Sequence, residues 1–372
     1  MGKKIYIVGG GIIGLAVGWQ LVRNGKNVEI YESNTAGKAA SWVAAGMLAP
    51  YAESYFEGLE LFELCKESLD LYPKFIDELK EDSGISLNLD KCGTLIIGFN
   101  RDDVERIQRL YNFYVQNQFP VYWLDGEEAR EIEPMLSPKT IAAIWIPDEA
   151  QIDNRALIEA LKIAFVKREG HIYENKLVDE IKLYNNKVVG IKVNNSFIDT
   201  SNSKVILAAG SWSKKIEGLS EEILPPVRPV KGQIISLNMN GSFKLTHIIR
   251  APDVYLTPKS DGRLLVGASS EEKGFDLNPT AGEIMWLLRR AWEAVPYVYE
   301  LSINELSVGL RPGSRDNAPI IGQSKIENLY YATGHYRHGI LLTPITAYGM
   351  KELIMTNTII DYIKPFQPSR FF

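Results

Sequence analysis

The chain reads KKIYIVGGGIIG from Lys3 to Gly14, and this stretch is decisive for the fold. Its apolar part, residues 5–8, is rich in β-branched and aromatic side chains, as buried parallel strands are. The glycines that follow form the pattern G-x-G-x-x-G at Gly9, Gly11 and Gly14. A strand that runs directly into such a turn is typical of an α/β unit that binds a nucleotide.

The residues after the turn complete a pattern of strand, turn, helix and strand. Apolar side chains recur at helical spacing from Ile12 to Trp19, and Asn24-Gly25 supplies a stop signal for the helix. Residues 28–31 predict a second strand, which ends in the acidic Glu32. This order of elements, with an acid after the second strand, is that of a dinucleotide-binding unit.

Each part of this unit has a mechanical role. Gly9 permits the tight turn, Gly11 lets a pyrophosphate approach the backbone, and Gly14 lets the helix pack closely on the strand. The N-terminus of the helix offers N–H groups and a positive dipole end to phosphates. Glu32 is placed to accept hydrogen bonds from ribose hydroxyls, and its charge disfavours the 2′-phosphate of NADP. The unit alone does not distinguish FAD from NAD.

The loop after Glu32 favours a flat ligand. Residues 39–50 read AASWVAAGMLAP, a run of small side chains without a strong period. Small side chains let a backbone pass close to a ring system, and Ser41 is able to donate a hydrogen bond to a phosphate. The alternative is a buried loop that is packed for its own sake.

Composition excludes several classes of protein. The 372 residues include 41 basic and 46 acidic side chains, and the net charge of -5 gives no general attraction to nucleic acid or to anionic lipid. Two cysteines, Cys65 and Cys92, make neither a disulfide framework nor a zinc site, and four histidines support no metal centre. The glycine-interrupted N-terminus is not typical of a signal peptide, and no apolar run is long enough to span a membrane. We therefore expect a cytoplasmic protein with an organic cofactor and no metal.

The rest of the chain predicts alternating helices and strands. The predicted elements are one or two exposed helices over residues 55–80, strands within 85–99, a helix over 102–118, a strand over 141–146, a helix capped by Asp153 that ends at Gly170, a β-meander of 177–183, 188–193 and 204–207, a hairpin of 254–258 and 264–268, and a helix over 280–295. No repeat or simple linker marks a boundary. We therefore expect a cofactor domain that the chain visits three times, with a sheet-based domain inserted between the visits.

The run from Ile5 to Pro50 resembles the start of the glycine oxidase and D-amino-acid oxidase family of FAD-dependent amine oxidases. The resemblance implies an α/β fold with an α+β second domain: a glutathione-reductase-like FAD-binding Rossmann domain with an interleaved antiparallel-sheet substrate domain. The FAD-binding domain is then expected over residues 1–85, 148–226 and 304–372, and the substrate domain over residues 86–147 and 227–303.

Three residues match the family's substrate-binding side chains. Arg311, in the sequence Leu-Arg-Pro, matches the arginine that holds the substrate carboxylate, and guanidinium forks naturally onto a carboxylate. From the sequence alone, we place Arg311 between a strand end and a Pro-Gly turn. Tyr255 matches a tyrosine that contacts the same carboxylate, and Arg337 matches an active-site arginine. Without the resemblance, a surface arginine and a core tyrosine would be the ordinary interpretations.

The resemblance also implies a set of cofactor-binding residues. They are Gly9, Gly11, Ile12, Ile13, Gly14, Glu32, Ser41, Ala45, Gly46, Met47, Val178, Ala209, Gly210, Trp212, Arg311, His335, Tyr336, Arg337, His338, Gly339 and Ile340. A helix start predicted near Gly339 would offer N–H groups to negative charge on a reduced flavin. His335 and His338 are interpreted as structural residues rather than general bases. Neither cysteine is near this last segment, where related sarcosine oxidases attach flavin covalently, so we expect non-covalent FAD.

The resemblance implies oxidative deamination of glycine, small amines and small D-amino acids. The products would be an imine or keto acid, ammonia and, after reoxidation by dioxygen, hydrogen peroxide, with the glycine imine supplying thiamine thiazole synthesis. Similar enzymes form tetramers, so a homo-oligomer is expected. Two departures from the family, Ser270 for an apolar residue and His338 for asparagine, leave the side-chain preference open.

Other functions remain open at this point. A D-amino-acid oxidase or dehydrogenase of broader range, or a sarcosine oxidase-like enzyme, would use the same residues. A dinucleotide-binding protein without redox turnover and an NAD-dependent dehydrogenase are more distant alternatives.

Overall fold

The computed structural model describes residues 4–53, 58–239, 241 and 243–371. Lys3 and the start of the helix predicted over residues 55–80 lie outside this part of the chain. The strands of the described residues are β1 (Ile5–Val8), β2 (Val28–Tyr31), β3 (Met47–Leu48), β4 (Leu89–Asp90), β5 (Thr94–Gly98), β6 (Tyr122–Asp125), β7 (Ala142–Ile146), β8 (Ala150–Ile152), β9 (His171–Tyr173), β10 (Val178–Tyr184), β11 (Lys187–Val193), β12 (Ser196–Asp199), β13 (Lys204–Leu207), β14 (Arg228–Asn238), β15 (Ile248–Ala251), β16 (Val254–Pro258), β17 (Arg263–Gly267), β18 (Ser302–Gly313), β19 (Ile320–Gln323) and β20 (Leu329–Thr333). The α-helices are α1 (Ile12–Arg23), α2 (Ala40–Val43), α3 (Pro50–Glu53), α4 (Leu59–Ser83), α5 (Arg101–Gln116), α6 (Gly126–Ile132), α7 (Asn154–Lys167), α8 (Ala281–Ala294) and α9 (Thr343–Thr356).

A six-stranded sheet forms the first half of the fold. Its order is β19-β20-β13-β1-β2-β9, and its strands run parallel except β19, which is antiparallel to β20. All four residues of β1 are buried, as the apolar run predicts for a central strand. Helix α1 contacts strands β1, β2 and β20 of this sheet and packs against the helices α7 and α9. The Rossmann unit predicted from the glycine turn is therefore present.

An eight-stranded sheet forms the second half. Its order is β18-β14-β17-β16-β15-β5-β7-β6, and its pairs are antiparallel except β15 with β5. Helix α8 covers it, and Leu287 and Ala291 of this helix are fully buried against the sheet. The predicted hairpin is the antiparallel pair of β16 and β17.

The two sheets draw on interleaved segments of the chain. The parallel sheet takes strands from three separate stretches, and the antiparallel sheet takes strands from the two stretches between them. The predicted domain division remains a proposal, and one of its bounds needs adjustment. Residue 304 lies inside β18, which pairs with β14 along its length, so a boundary after Gly313 fits the strand pairing better.

Two predicted elements differ from the structure. The predicted meander ends in residues 204–207, but these form β13 in the parallel sheet, and β12 is the third meander strand instead. The turn at Asn194 and Asn195, both with positive φ, joins β11 to β12 directly. The stretch predicted as one or two exposed helices forms one helix in the described residues, α4, but its apolar face is buried against α7 and α9. Its Tyr72 and Phe75 are fully buried, because aromatic residues three apart share a helix face.

Among the described residues, no helix is both long and apolar enough to cross a membrane. In the same part of the chain, no group of three or more His, Cys, Asp or Glu side chains is arranged to hold a metal ion.

Candidate active site

A cavity of about 1340 Å³ is lined both by the glycine turn and by the arginine segment of the chain. Small-molecule pockets commonly measure about 300–1,000 Å³, so this cavity has room for a ligand as large as a dinucleotide. Except for Gly14, every residue predicted to bind cofactor or substrate lines it. Arg311 and Tyr255 share it with Gly9 and Glu32, although they belong to the other sheet.

The glycine turn, residues 9–14, has the geometry that its sequence predicts. Gly9 has a φ of +107°, and a Cβ atom there would lie 2.5 Å from the carbonyl oxygen of Ala208. A Cβ atom at Gly14 would lie 2.1 Å from the carbonyl oxygen of Gly9, so Gly14 allows the close contact of α1 with the turn. A Cβ atom at Gly11 would meet only the hydroxyl oxygen of Ser41, at 3.6 Å. The backbone at Gly11 is thus open to the cavity.

Side chains near the turn support its shape. The Glu32 carboxylate accepts a hydrogen bond from the Gly10 amide at 2.8 Å, and its other oxygen accepts from the Asn34 amide at 3.0 Å. The Ser41 hydroxyl accepts from the Ile12 amide at 3.0 Å and keeps its own proton to donate. We call the glycine turn with Glu32 and Ser41 the cradle.

The cradle fits the pyrophosphate and ribose of FAD. Helix α1 begins at Ile12, and its N-cap residue Gly11 offers no capping side chain. The Ile12 amide donates to Ser41, but the first turn contains no acidic residue, so the positive dipole end of the helix has no competing anion there. The open space at Gly11 admits a phosphate, and the half-buried Glu32 lines the same cavity for a ribose.

Arg311 and Tyr255, which we call the clamp, come from strands β18 and β16. The Arg311 guanidinium donates from Nη1 to the carbonyl oxygen of Ser269 at 2.9 Å. Tyr255 pairs across the sheet with Gly267, where a Cβ atom would lie 2.6 Å from the phenol oxygen. The prediction that Arg311 precedes a Pro-Gly turn is wrong, because β18 continues through Gly313 and remains paired with β14. Strand pairing, rather than a turn, holds Arg311.

Burial shifts the acid–base behaviour of the clamp. It raises the pKa of the Tyr255 phenol above its usual range, although the guanidinium groups of Arg311, Arg250 and Arg337 oppose the shift. Burial also lowers the pKa of Arg311; Tyr255 counteracts this shift and Arg337 adds to it. The Tyr255 phenol therefore stays protonated and is able to donate a hydrogen bond. A substrate carboxylate beside the Arg311 guanidinium would offset the desolvation of that cation.

One ion pair in the cavity wall was not predicted from the sequence. Arg250 of β15 donates from Nη1 to the carboxylate of Glu53 in α3, and both residues line the cavity. Glu53 stands three residues after the loop of small side chains, and an acid directly behind a ligand-lining loop was an available signal. Arg250 lies in a short strand that carries no motif, and only the pairing of β15 with β16 brings it beside Tyr255.

The segment of residues 335–340 contributes a neutral histidine. His335 is 2% exposed, and its Nε2 lies 3.0 Å from the hydroxyl of Thr346. Burial, together with the charge of His338, lowers the pKa of His335 to about 3, so the ring is neutral near pH 7. This contact supports the structural interpretation of His335. Arg337, in contrast, is exposed while lining the cavity.

The helix start predicted near Gly339 is four residues too early. Helix α9 begins at Thr343, and a turn precedes it. Pro344 is in the first turn of α9, where its fixed φ favours helix initiation and its missing N–H costs nothing. The Thr343 hydroxyl donates back to the carbonyl oxygen of Gly339 at 2.8 Å. The amides of residues 339–342 therefore belong to a turn and not to a helix terminus.

Comparison with known proteins identifies the fold family. The FAD dependent oxidoreductase family, DAO, matches residues 4–353 of the chain. This chain belongs to that family. The α/β fold class, the resemblance to this family, the FAD cofactor and the oxidoreductase class predicted from the sequence are thereby confirmed.

Individual members of the family are similar over the whole chain. Glycine oxidase of Geobacillus kaustophilus is 32% identical over 98% of this chain and 96% of its own. The crystal structure of glycine oxidase from Geobacillus kaustophilus superposes with a TM-score of 0.91 at 30% identity, covering 100% of both chains. The bifunctional protein ThiO/ThiG of Synechocystis is 34% identical over 99% of this chain. This chain spans 54% of that protein, about half the length of the curated ThiO/ThiG relatives that it matches.

Proposed function

We propose that this FAD-dependent oxidoreductase oxidises glycine, together with small amines and small D-amino acids, to the imine. The main support for this proposal is that the Arg311 guanidinium and the Tyr255 phenol line the same cavity as the glycine turn. Similarity to glycine oxidases over nearly the full length supports this substrate class.

The cradle would hold the cofactor. Backbone amides at Gly11 and at the start of α1 would bind the pyrophosphate, Glu32 would accept from ribose hydroxyls, and Ser41 would donate to a phosphate. The small residues Ala45 and Gly46 would let the backbone pass close to the ring system. Bound FAD would supply the hydride acceptor. We propose non-covalent attachment, because Cys65 lies in α4 and Cys92 lies next to β5, and neither lines the cavity.

The clamp would orient the substrate. Arg311 would bind the carboxylate through two parallel hydrogen bonds, and the protonated Tyr255 would donate a further one. Holding the carboxylate leaves the α-carbon free to face the cofactor in one orientation, which is the main contribution required of the protein. The substrate amine reacts in its neutral form, and no protein base is obligatory. The neutral His335, bonded to Thr346, is not placed as one.

Several finer proposals accompany this function. The imine would leave or hydrolyse to the keto acid and ammonia, and dioxygen would be reduced to hydrogen peroxide. Similarity to ThiO/ThiG supports the proposal that the glycine imine feeds thiazole formation in thiamine biosynthesis. We further propose a homotetramer that works in the cytoplasm, where two unpaired cysteines stay reduced.

Anaerobic titration of the purified flavoprotein with glycine tests the proposal. Glycine should bleach the flavin absorption band, and air should restore it with release of peroxide. Arg311→Ala should weaken substrate binding by about 2–4 kcal/mol, because a bidentate charged pair is lost. Bleaching by D-alanine or D-proline but not by glycine would assign the broader D-amino-acid activity. Unchanged affinity in Arg311→Ala would remove this residue from the site.

A further inference from the structure

The proposed function gives no role to the sequence Lys231-Gly232-Gln233 in β14. Lys231 and Gln233 are both 0% exposed, although lysine and glutamine are rarely fully buried. Successive residues of a strand point to opposite faces, so the side chains of Lys231 and Gln233 share one face and Gly232 lies on the other. Two buried polar side chains on one face require partners.

Gln233 holds residues 269–280, which we call the cover segment. The backbone N–H of Gln233 donates to the Ser269 hydroxyl at 3.0 Å. Its side-chain Nε2 donates to the Glu271 carboxylate at 2.8 Å, and its Oε1 accepts from the Thr280 amide at 2.8 Å. A single glutamine therefore bonds to the beginning and the end of the cover segment.

Lys231 holds the middle of the same segment. Its ammonium donates to the Asp276 carboxylate and to the carbonyl oxygen of Asn278, both at 2.6 Å. Its backbone exchanges both hydrogen bonds with Glu271, at 2.9 and 3.0 Å. The cover segment has no helix or strand of its own, so these bonds to β14 hold its path.

The cover segment reaches both the clamp and the wall of the cavity. The carbonyl oxygen of Ser269 accepts the hydrogen bond of the Arg311 guanidinium at 2.9 Å. Farther along, Phe275 lines the cavity and its ring centroid lies 5.8 Å from that of Trp212. Moving Ser269 would therefore remove the anchor of the guanidinium.

Gly232 provides the space in which the guanidinium lies. A Cβ atom at Gly232 would be 2.4 Å from Arg311 Nη1 and 2.5 Å from both Cζ and Nη2. These atoms are the far end of a flexible side chain, so a methyl group would displace the guanidinium rather than the backbone. The strand pairing of β14 with β18 would survive this change.

We propose that Lys231, Gly232 and Gln233 are positioning residues for Arg311: Gly232 leaves the guanidinium its place, and the two polar side chains hold the segment that anchors it. This proposal rests on the proposed function, in which Arg311 binds the substrate carboxylate. It adds that the affinity for a carboxylate depends on residues that do not touch the substrate.

Gly232→Ala tests the proposal in the FAD-loaded protein. Dissociation constants for glycolate and for the uncharged glycolamide are measured from the change in flavin absorbance. The ratio of the two constants should shift against glycolate by at least about tenfold, since a well-placed charged hydrogen bond is worth that much. The flavin content and the unfolding temperature should stay near those of the unchanged protein. Gly282→Ala adds the same methyl group in open space and should leave the ratio unchanged.

Gln233→Met is the second variant, because it retains the side-chain volume but loses the bonds to Glu271 and Thr280. It should shift the ratio in the same direction. If Arg311→Ala abolishes the preference for glycolate while Gly232→Ala and Gln233→Met both retain it, the positioning role is wrong and the proposed function stands. If Arg311→Ala itself keeps the preference, the proposed function fails.

Discussion

The cradle and the clamp line one cavity but are built in different ways. The cradle comes mainly from one short stretch, β1, the glycine turn and the end of β2, and it acts largely through backbone atoms. The clamp combines two strands of the other sheet with a carbonyl group from the cover segment, and it acts through half-buried side chains. The first depends on local sterics, and the second depends on charge and on strand pairing.

This difference predicts two kinds of response to substitution. In the cradle, an added atom collides with backbone that cannot move, so cofactor binding and folding should fail together. In the clamp, side chains have room to adjust, so substrate affinity should change in graded steps while the cofactor remains bound.

Gly14→Ala should have the largest effect. The new methyl group would lie 2.1 Å from the Gly9 carbonyl oxygen, and the overpacking should cost about 3 kcal/mol, more than the roughly 1 kcal/mol that alanine gains in a helix. FAD content after gel filtration and urea unfolding measure the loss. Gly18→Ala in the same helix is the control, because its methyl group meets side-chain ends of Ile30 and Phe165 at 3.0 Å, which can shift. Equal FAD retention in both variants would contradict the steric account.

Glu53→Gln should have the next largest effect. It leaves the Arg250 guanidinium without its carboxylate in a mostly enclosed site, where the side chains of the pair are 20% and 11% exposed. We expect unfolding to become easier by about 2 kcal/mol, below the value for a fully buried pair because water still reaches this one. Denaturant titration measures the change. The double variant with Arg250→Met should recover most of the loss, and failure to recover would show that the charge imbalance is not its cause.

Tyr255→Phe should weaken substrate binding by about 1 kcal/mol, the usual net value of one hydrogen bond. The ring fits against Gly267 without its hydroxyl, so FAD content should not change. Anaerobic glycine titration gives the affinity. A loss as large as that of Arg311→Ala would mean that the phenol does more than donate one hydrogen bond.

The smallest expected effect is a decrease in the free energy of unfolding as the pH is lowered, caused by His335. The pKa of His335 is about 3 in the folded protein against an ordinary 6.5, so between these values the unfolded chain binds a proton that the fold excludes. Stability from this group is complete above pH 6.5 and falls as the pH is lowered. Between about pH 7.5 and about pH 6 the loss should stay below about 1 kcal/mol. Urea unfolding at both pH values measures it. His335→Asn, which has no titrating ring, should show a smaller difference, and an equal difference would exclude His335 as its source.

The elements predicted well are those whose signal is local. Helix α1, β2 and the Asp153 cap of α7 follow from periodicity and from capping residues, and the Asp153 side chain does accept from the Ala156 amide at 2.9 Å. The errors lie where partners are distant. Residues 204–207 have the same alternating pattern as the meander strands, and only pairing with β1 and β20 assigns them to the parallel sheet.

The sequence by itself determined the cradle, because the positive φ of Gly9 and the contact of Gly14 with the Gly9 carbonyl are local requirements that the glycine pattern makes visible. It also determined, through the family resemblance, that Arg311 and Tyr255 were candidates for the substrate site. Only the tertiary structure decided that Arg250 and Glu53 pair in the cavity wall and that Gly232 lies beneath the guanidinium. Those contacts join residues from separate strands and segments, and strand register, which brings such residues together, is set by packing across the whole sheet.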